Sequence, residues 1–290
     1  MDVYATIEEL RGEFPVERLC DVLAASRSGY YDWKRGKTHT MRPEAIESEE
    51  RVIGVFKAHK RRYGSRRIAA ALQQEDVKIG RYRVRNILSR NGLKAIQPRS
   101  FVPRTTDSRH CYRISPNVLK ERGLPSKIDE AWVGDITYLP MAGGGFRYLS
   151  VWMDLYSRRI VGWDDQDHMK ESLVTTSLKR ALAGRRRPGR LIVHSDRGGQ
   201  YAGAEFRRII EKHKLTQSMS GADNPYDNAH MESFFSRFKA ELLEGGAFQS
   251  AEDAHTEIFE FIEMYYNAQR LHSSLGYRSP IEFEKRLNQQ

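Results

Sequence analysis

Residues 131–165 read AWVGDITYLPMAGGGFRYLSVWMDLYSRRIVGWDD, and this stretch decides the fold. AWVGDITYLP alternates as a β-strand does, with a period of two. The glycines at 143–145 turn the chain into a second strand, FRYLSVWMDLYS, and RRIVGWDD makes a third. Further on, the pattern predicts a helix from about Lys170 to Ala183, a short buried strand in LIVHSD, and a helix from Glu205 to Lys214. Three strands followed by helix, strand and helices predict an α/β protein, a mixed sheet flanked by helices.

Carboxylates stand at informative places in this frame. Asp135 lies inside an apolar strand, where an acid is costly unless paired or metal-bound. Asp196 ends the run Leu191-Ile192-Val193 and precedes Arg197-Gly198-Gly199, whose glycines permit close backbone approach. Glu232 sits on a helix expected to start at Asn224-Pro225 and to end at Gly245-Gly246. Sixty residues separate Asp135 from Asp196, and 35 separate Asp196 from Glu232. Three carboxylates in separate motifs supply the hard oxygen ligands of a two-metal phosphoryl-transfer site. Each also has a plain reading as a salt bridge or surface acid. Asp154, in VWMDLYS, competes for the first position, and periodicity does not choose between it and Asp135. Asp164, Asp165, Asp223 and Asp227 read as turn or cap residues. Tyr156, His194 and Ser195 lack the G-x-S-x-G elbow of a serine hydrolase. No G-x-x-x-x-G-K-[ST] loop indicates ATP use.

Charge says what the site meets. The chain of 290 residues carries 48 Lys or Arg against 38 Asp or Glu, a net +10 that favours a polyanion. Between Arg51 and Arg113 there are 17 basic residues against Glu75, Asp76 and Asp107. Within that span Glu47–His59 reads as a helix, Ser65 as the cap of RRIAAALQQE, and Gly80 as a turn before RYRVRNILSRNG. Val84, Ile87 and Leu88 form the inward stripe of this last helix; Arg83, Arg85 and Arg90 face outward, with Arg81 at the edge. Helix, turn and arginine-bearing helix outline a helix-turn-helix, with Arg66, Arg67, Arg81, Arg83 and Arg85 as candidate DNA contacts. A three-helix bundle with a solvated basic face is the plain alternative.

Residues 5–35 read as short helices ending in the aromatic, basic tip SRSGYYDWKRG, closed by Gly36. Residues 97–127 read as a basic linker. On the Glu232 helix, Met231, Phe235, Phe238 and Leu242 form the buried stripe; Glu232, Ser236 and Lys239 lie one step round. Lys239 is a candidate phosphate contact, as are Arg270 and His272 in RLHSSLGYRSP, after a last long helix at Ala251–Asn267. Two cysteines, Cys20 and Cys111, are too few for a disulfide framework or a structural zinc site, and His110 beside Cys111 reads as a surface pair. No apolar run is long enough to span a membrane and the N-terminus has no signal core, so a cytoplasmic protein is expected.

WVGDITYLP, YLSVWMDLYSRRIVGW, HSDRGGQY, DNPYDNAHMESFFSRFKAELL and YNAQRLHSSLGYRSP together resemble the integrase core of retroviral-type integrases and bacterial transposases. The match is most specific to the second-frame (OrfB) proteins of insertion sequences whose transposase spans two reading frames, the IS three family. SRSGYYDWKRG and RRYGSRRIAAAL extend it through nearly the whole chain. The resemblance implies a ribonuclease-H-like fold with a mixed five-stranded sheet, preceded by an all-α helix-turn-helix-like region. It implies a catalytic triad of Asp135, Asp196 and Glu232 on two Mg²⁺ ions, for which Mn²⁺ can substitute, and makes Asp154 no ligand. It further implies double-stranded DNA partners (the element's terminal inverted repeats and a target), a homo-oligomer on DNA, an upstream-frame OrfA fusion partner, and work at the bacterial nucleoid. The expected division is 1–45 helical, 46–96 helix-turn-helix-like, 97–127 linker, 128–245 catalytic core and 246–290 C-terminal helix and basic tail. The paired His and Cys zinc ligands of retroviral N-terminal domains are missing, so DNA recognition rests on helices without metal.

Overall fold

The computed structural model describes residues 3–36, 43–98, 114–185, 190–221, 229–244 and 246–289. The chain divides into two compact units, Met1–Gly54 and Val55–Gln290. In the first, α1 (Val3–Leu10), α2 (Val16–Val22) and α3 (Arg27–Lys34) enclose a small core of Ile7, Leu19, Cys20 and Tyr30. The expected aromatic tip is thus helix α3: Ser26 caps it through Gly29 N–H, Tyr30 turns inward, and Gly36 follows in the left-handed region.

Helix α4 (Pro43–Ala58) runs across the division, and α5 (Ser65–Gln74) and α6 (Arg81–Arg90) follow it. Ile68, Leu72, Val84, Ile87 and Leu88 are buried, as their helical spacing predicts. Ser65 is not the cap: the helix begins at Ser65 behind Gly64, which supplies no side-chain cap bond. Residues 99–113, with His110 and Cys111, lie outside the described residues. The end of the expected linker folds as α7 (Val118–Arg122), capped by Asn117.

The sheet is five-stranded and mixed, in the order β3-β2-β1-β4-β5. β1 (Ala131–Pro140), β2 (Phe146–Asp154) and β3 (Ile160–Gln166) form an antiparallel meander. β4 (Ile192–Ser195) then adds parallel to β1, and β5 (Thr216–Met219) parallel to β4. Between them lie α8 (Glu171–Gly184), α9 (Gly199–Ala202) and α10 (Ala204–Lys212). Trp132, Trp152, Val174, Leu178, Val193, Phe206 and Ile209 form the core between sheet and helices. Gly134 faces Trp152 across the strands, and a Cβ there would stand 2.5 Å from the indole, so only glycine admits this close approach. β5 is a strand the sequence pattern does not single out. Asp164 and Asp165 are not turn residues but lie buried on edge strand β3, paired to Arg180 at 2.8 Å and to Arg147 at 2.6 Å.

Helix α11 (Ala229–Leu243) packs on β1, and α12 (Ala251–Phe259) continues as a π-helical segment, Glu260–Asn267. Residues 222–228, with Asp223, Asp227 and the expected start at Asn224-Pro225, lie outside the described residues. The expected basic tail is folded: a 3₁₀ turn at Ser273–Leu275 leads to α13 (Pro280–Leu287), capped by Ser279.

Candidate active site

The first two carboxylates stand on β1 and just past the end of β4. In the parallel pairing of β1 with β4, Val133 stands opposite His194. Asp135 lies two residues further along β1 and Asp196 two residues beyond His194, one past the end of β4, so the register brings them to the same level. Ile136 N–H donates to Asp135 Oδ1 at 2.8 Å, and Gly198 N–H donates to Asp196 Oδ1 at 2.9 Å. A side chain at Gly198 would press within 3.0 Å of that same oxygen, which is why a glycine follows Asp196 so closely.

Tyr201 reports the local field. Its ring is buried edge-on against Trp152 and Phe206, at 5.9 and 5.6 Å between centroids. Burial pushes its hydroxyl well above the ordinary tyrosine value, and the charges of both Asp135 and Asp196 push it further. Both acids therefore act on one spot at the edge of the core. Tyr201, the last residue of HSDRGGQY, carries no local signal of a part in the site.

Helix α11 brings the remaining candidates. Met231, Phe235 and Phe238 are buried as expected, but Leu242 is only half-buried, while Phe234 and Glu241 join the inner face. Lys239 is half-buried, with Nζ 4.1 Å from the centre of the Tyr138 ring. Burial lowers its pKa, and the nearby charge of Asp135 opposes that shift. Glu232 is exposed in the first described turn of the helix. Among the described residues it does not join Asp135 and Asp196 in a three-residue group able to hold a metal ion. Asp135 on β1 and Asp196 just past β4 thus stand at matching levels, and Glu232 is carried on α11, which packs on β1.

Rival acids and nucleophiles have other duties. Asp154 is fully buried and accepts N–H groups of Asp129, Tyr156 and Ser157 at 2.6, 2.9 and 2.8 Å. His194 Nδ1 lies 2.8 Å from Ser218 Oγ, and Ser195 Oγ donates to the Asp196 carbonyl at 3.0 Å, so these two do not form a nucleophile–base pair.

Candidate DNA-binding residues fall into two sets. Arg66, Arg81, Arg83 and Arg85 are exposed, as is Arg90, and the Arg81 guanidinium lies over the ring of Tyr82, itself 70% exposed. Arg67, Arg270 and His272 require correction. Arg67 Nε donates to Leu271 O at 2.8 Å. Arg270 is 3% exposed and bonds Glu241 Oε1 through Nη2 at 2.6 Å. His272 packs edge-on against Tyr266, and burial first, with Arg270, Arg67 and Arg158 adding, drives its pKa down to about 2. Arg67 and Arg270 spend their polar groups inside the protein, and His272 is enclosed with its ring neutral. Glu241 escaped the sequence reading, although a carboxylate on the stripe Phe234, Phe238, 241 was the available signal.

The sheet order β3-β2-β1-β4-β5, with its flanking helices, brings Asp135 and Asp196 to the middle of a mixed sheet. Residues 125–225 and 213–280 match integrase core domain families, and residues 44–101 match an HTH-like domain. The transposase InsF for insertion sequence IS3A of Escherichia coli K12 is 36% identical over 285 residues, covering 98% of each chain. A 31 kDa protein of insertion element IS600 from Shigella sonnei is 36% identical over 275 residues, 93% of this chain and 99% of that one. The magnesium-bound catalytic core of HTLV-2 integrase superposes with a TM-score of 0.42 at 13% identity, covering 53% of this chain and 95% of that one. The chain belongs to the IS3 family of insertion-sequence transposases. Among the described residues no helix is long and apolar enough to cross a membrane.

Proposed function

We propose that this transposase cuts the ends of its insertion sequence and joins the freed 3′-hydroxyl to target DNA, using Asp135, Asp196 and Glu232 to hold two Mg²⁺ ions. The matching level of Asp135 on β1 and Asp196 just past the end of β4 carries the reading. The donors fit the ions: oxygen ligands only, in a place where the negative charges add, as the Tyr201 hydroxyl registers. Such ions lower the pKa of an attacking water or hydroxyl and stabilise the leaving oxygen, and Mn²⁺ serves the same purpose. Asp135 would be shared by the two ions, Asp196 would hold one of them, and Glu232, brought by α11, would hold the other. Lys239, drawn toward Asp135 over the Tyr138 ring, offers its ammonium to a substrate phosphate. Water and a DNA 3′-hydroxyl have the same reacting atom, so one site serves cutting and joining.

Double-stranded DNA is held through phosphates by Arg66, Arg81, Arg83 and Arg85, with α6 directed into the major groove. Terminal repeats and target must meet in one complex, which calls for more than one copy of the chain, and an upstream-frame OrfA segment is its fusion partner. The test uses the full chain and a labelled duplex of the element's own terminal repeat. Asp135→Asn and Glu232→Gln abolish nicking and the joining of pre-cut ends while binding stays within about twofold. Nicking retained in either purified variant would sink the triad; nicking without joining in the wild type would make the protein a nuclease.

A further inference from the structure

Helix α11 is gripped at its far end by the segment that follows the π-helix. Glu241 and Arg270 are 4% and 3% exposed and share two hydrogen bonds, Nη2 to Oε1 at 2.6 Å and Nε to Oε2 at 3.2 Å. The segment bearing Arg270 is itself held from the helix-turn-helix-like side. The Tyr63 hydroxyl donates to Gln269 O at 3.1 Å and accepts Leu271 N–H at 2.9 Å, while Arg67 Nε donates to Leu271 O. The Arg62 guanidinium covers Tyr265 at 4.5 Å, His59 stacks on Tyr63 at 3.7 Å, and Gln74 donates to Tyr277 O. Arg61 reaches Glu244, just past the end of α11, at 3.4 Å.

A buried Arg–Glu pair adds little net stability, because desolvation offsets the attraction. Its effect is on register: sliding α11 by one residue would leave two buried charges without partners. Glu241 lies nine residues beyond Glu232 on one continuous helix, roughly 13 Å along the axis at 1.5 Å per residue. A rigid helix held at Glu241 is therefore held at Glu232.

We infer that the Glu241–Arg270 pair, anchored by Tyr63 and Arg67, is a positioning device that sets where α11 places Glu232 and links that carboxylate mechanically to the helix-turn-helix-like helices. None of the four touches the reacting atoms; they act through Glu232. The inference rests on the proposed triad, since it concerns how far Glu232 stands from Asp135 and Asp196.

The test measures single-turnover nicking of a terminal-repeat duplex by the full chain across a Mg²⁺ titration. Alongside it run DNA affinity and thermal melts, for Tyr63→Phe, Arg67→Gln, Arg270→Gln and Arg270→Lys. Tyr63→Phe removes one hydroxyl from an otherwise unchanged ring and is the variant that keeps its fold. Expected is a rise of about tenfold in the Mg²⁺ needed for half-maximal nicking, the scale seen when groups supporting metal ligands are removed. DNA affinity stays within about twofold, and Arg270→Lys recovers part of what Arg270→Gln loses. An unchanged Mg²⁺ requirement in folded Tyr63→Phe overturns the inference. So does an activity loss that merely tracks the fraction unfolded. Glu232→Gln is the control for the premise: if it nicks normally, the triad fails; if it is inactive while Tyr63→Phe behaves as wild type, only the positioning device fails.

Discussion

Two groups of carboxylates flank the same sheet and are held in different ways. Around Asp154, arginines converge. Arg185 bonds Asp129 at 2.9 Å and Glu284 at 2.7 and 2.9 Å, and Arg159 adds a bond to Glu284 at 2.7 Å. The Ser157 hydroxyl bridges Asp154 to Glu284, so the acids of this group are tied together through their donors. Asp135 and Asp196 stand at matching levels of β1 and of the chain just past β4. Backbone N–H groups of Ile136 and Gly198 orient them, and the Tyr201 hydroxyl feels both. Like charges brought level raise the free energy of the ionised pair unless a cation joins them. One group is architecture; the other is the site proposed to receive metal.

The largest expected effect separates these roles outright. Asp135→Asn should lower nicking about a thousandfold or more, on the order of 4 kcal/mol of transition-state stabilisation, while leaving the melting temperature unchanged or raised. Asp154→Asn should do the reverse, with a lowered melting temperature and activity per folded molecule near wild type. Paired nicking assays and thermal melts check this, and equal activity losses in the two folded variants would erase the contrast.

Breaking the arginine-rich group should be the next largest effect. Glu284→Ala leaves Arg185 and Arg159 facing a cavity, and removing one partner of a buried pair costs about 3–5 kcal/mol. Urea denaturation should show it as a fall in midpoint at constant slope. Because Glu284 lies on α13, the same result would show that the C-terminal helix is integral to the core.

What the sequence revealed follows the same division. The apolar alternation of β1–β3 and the stripes of α6 and α11 are local patterns, so fold class and most helices were legible from residue spacing. Asp135 and Asp196 were legible because acids beside apolar runs are costly and stand out. β5 was missed because TQSM is four residues long and largely polar, and its partner β4 makes it a strand. Asp164 and Asp165 were misassigned because their partners Arg180 and Arg147 lie 16 and 18 residues away, in other elements. Arg67, Arg270 and His272 resembled surface cations for the same reason. Burial of a charge depends on a long-range partner, and no local pattern announces it.

Acid should expose the buried histidine. His272 has its pKa lowered from 6.5 to about 2, so the folded chain keeps it neutral while the unfolded chain protonates it below 6.5. Stability from this group is complete above pH 6.5 and is lost as pH falls from there toward 2. Between pH 7 and pH 5 the loss amounts to about 2 kcal/mol. Urea melts of wild type and His272→Gln at the two pH values should show a steeper decline in the wild type by that amount. Parallel declines would mean that the ring is solvated in the folded chain.

The smallest effect divides exposed from buried arginines. Arg85 lies on the outer face of α6, while Arg270 is enclosed with Glu241. If Arg85 neutralises one phosphate, Arg85→Ala should reduce the slope of log affinity against log salt by about one. Over a fourfold rise in salt that is a difference of only about three- to fourfold in affinity. Arg270→Lys should leave the slope at its wild-type value, because a residue enclosed by protein releases no counterion from DNA. Filter binding to a terminal-repeat duplex between roughly 50 and 200 mM salt decides it. A reduced slope in Arg270→Lys would place that arginine against DNA despite its burial, and an unchanged slope in Arg85→Ala would remove α6 from the phosphate backbone.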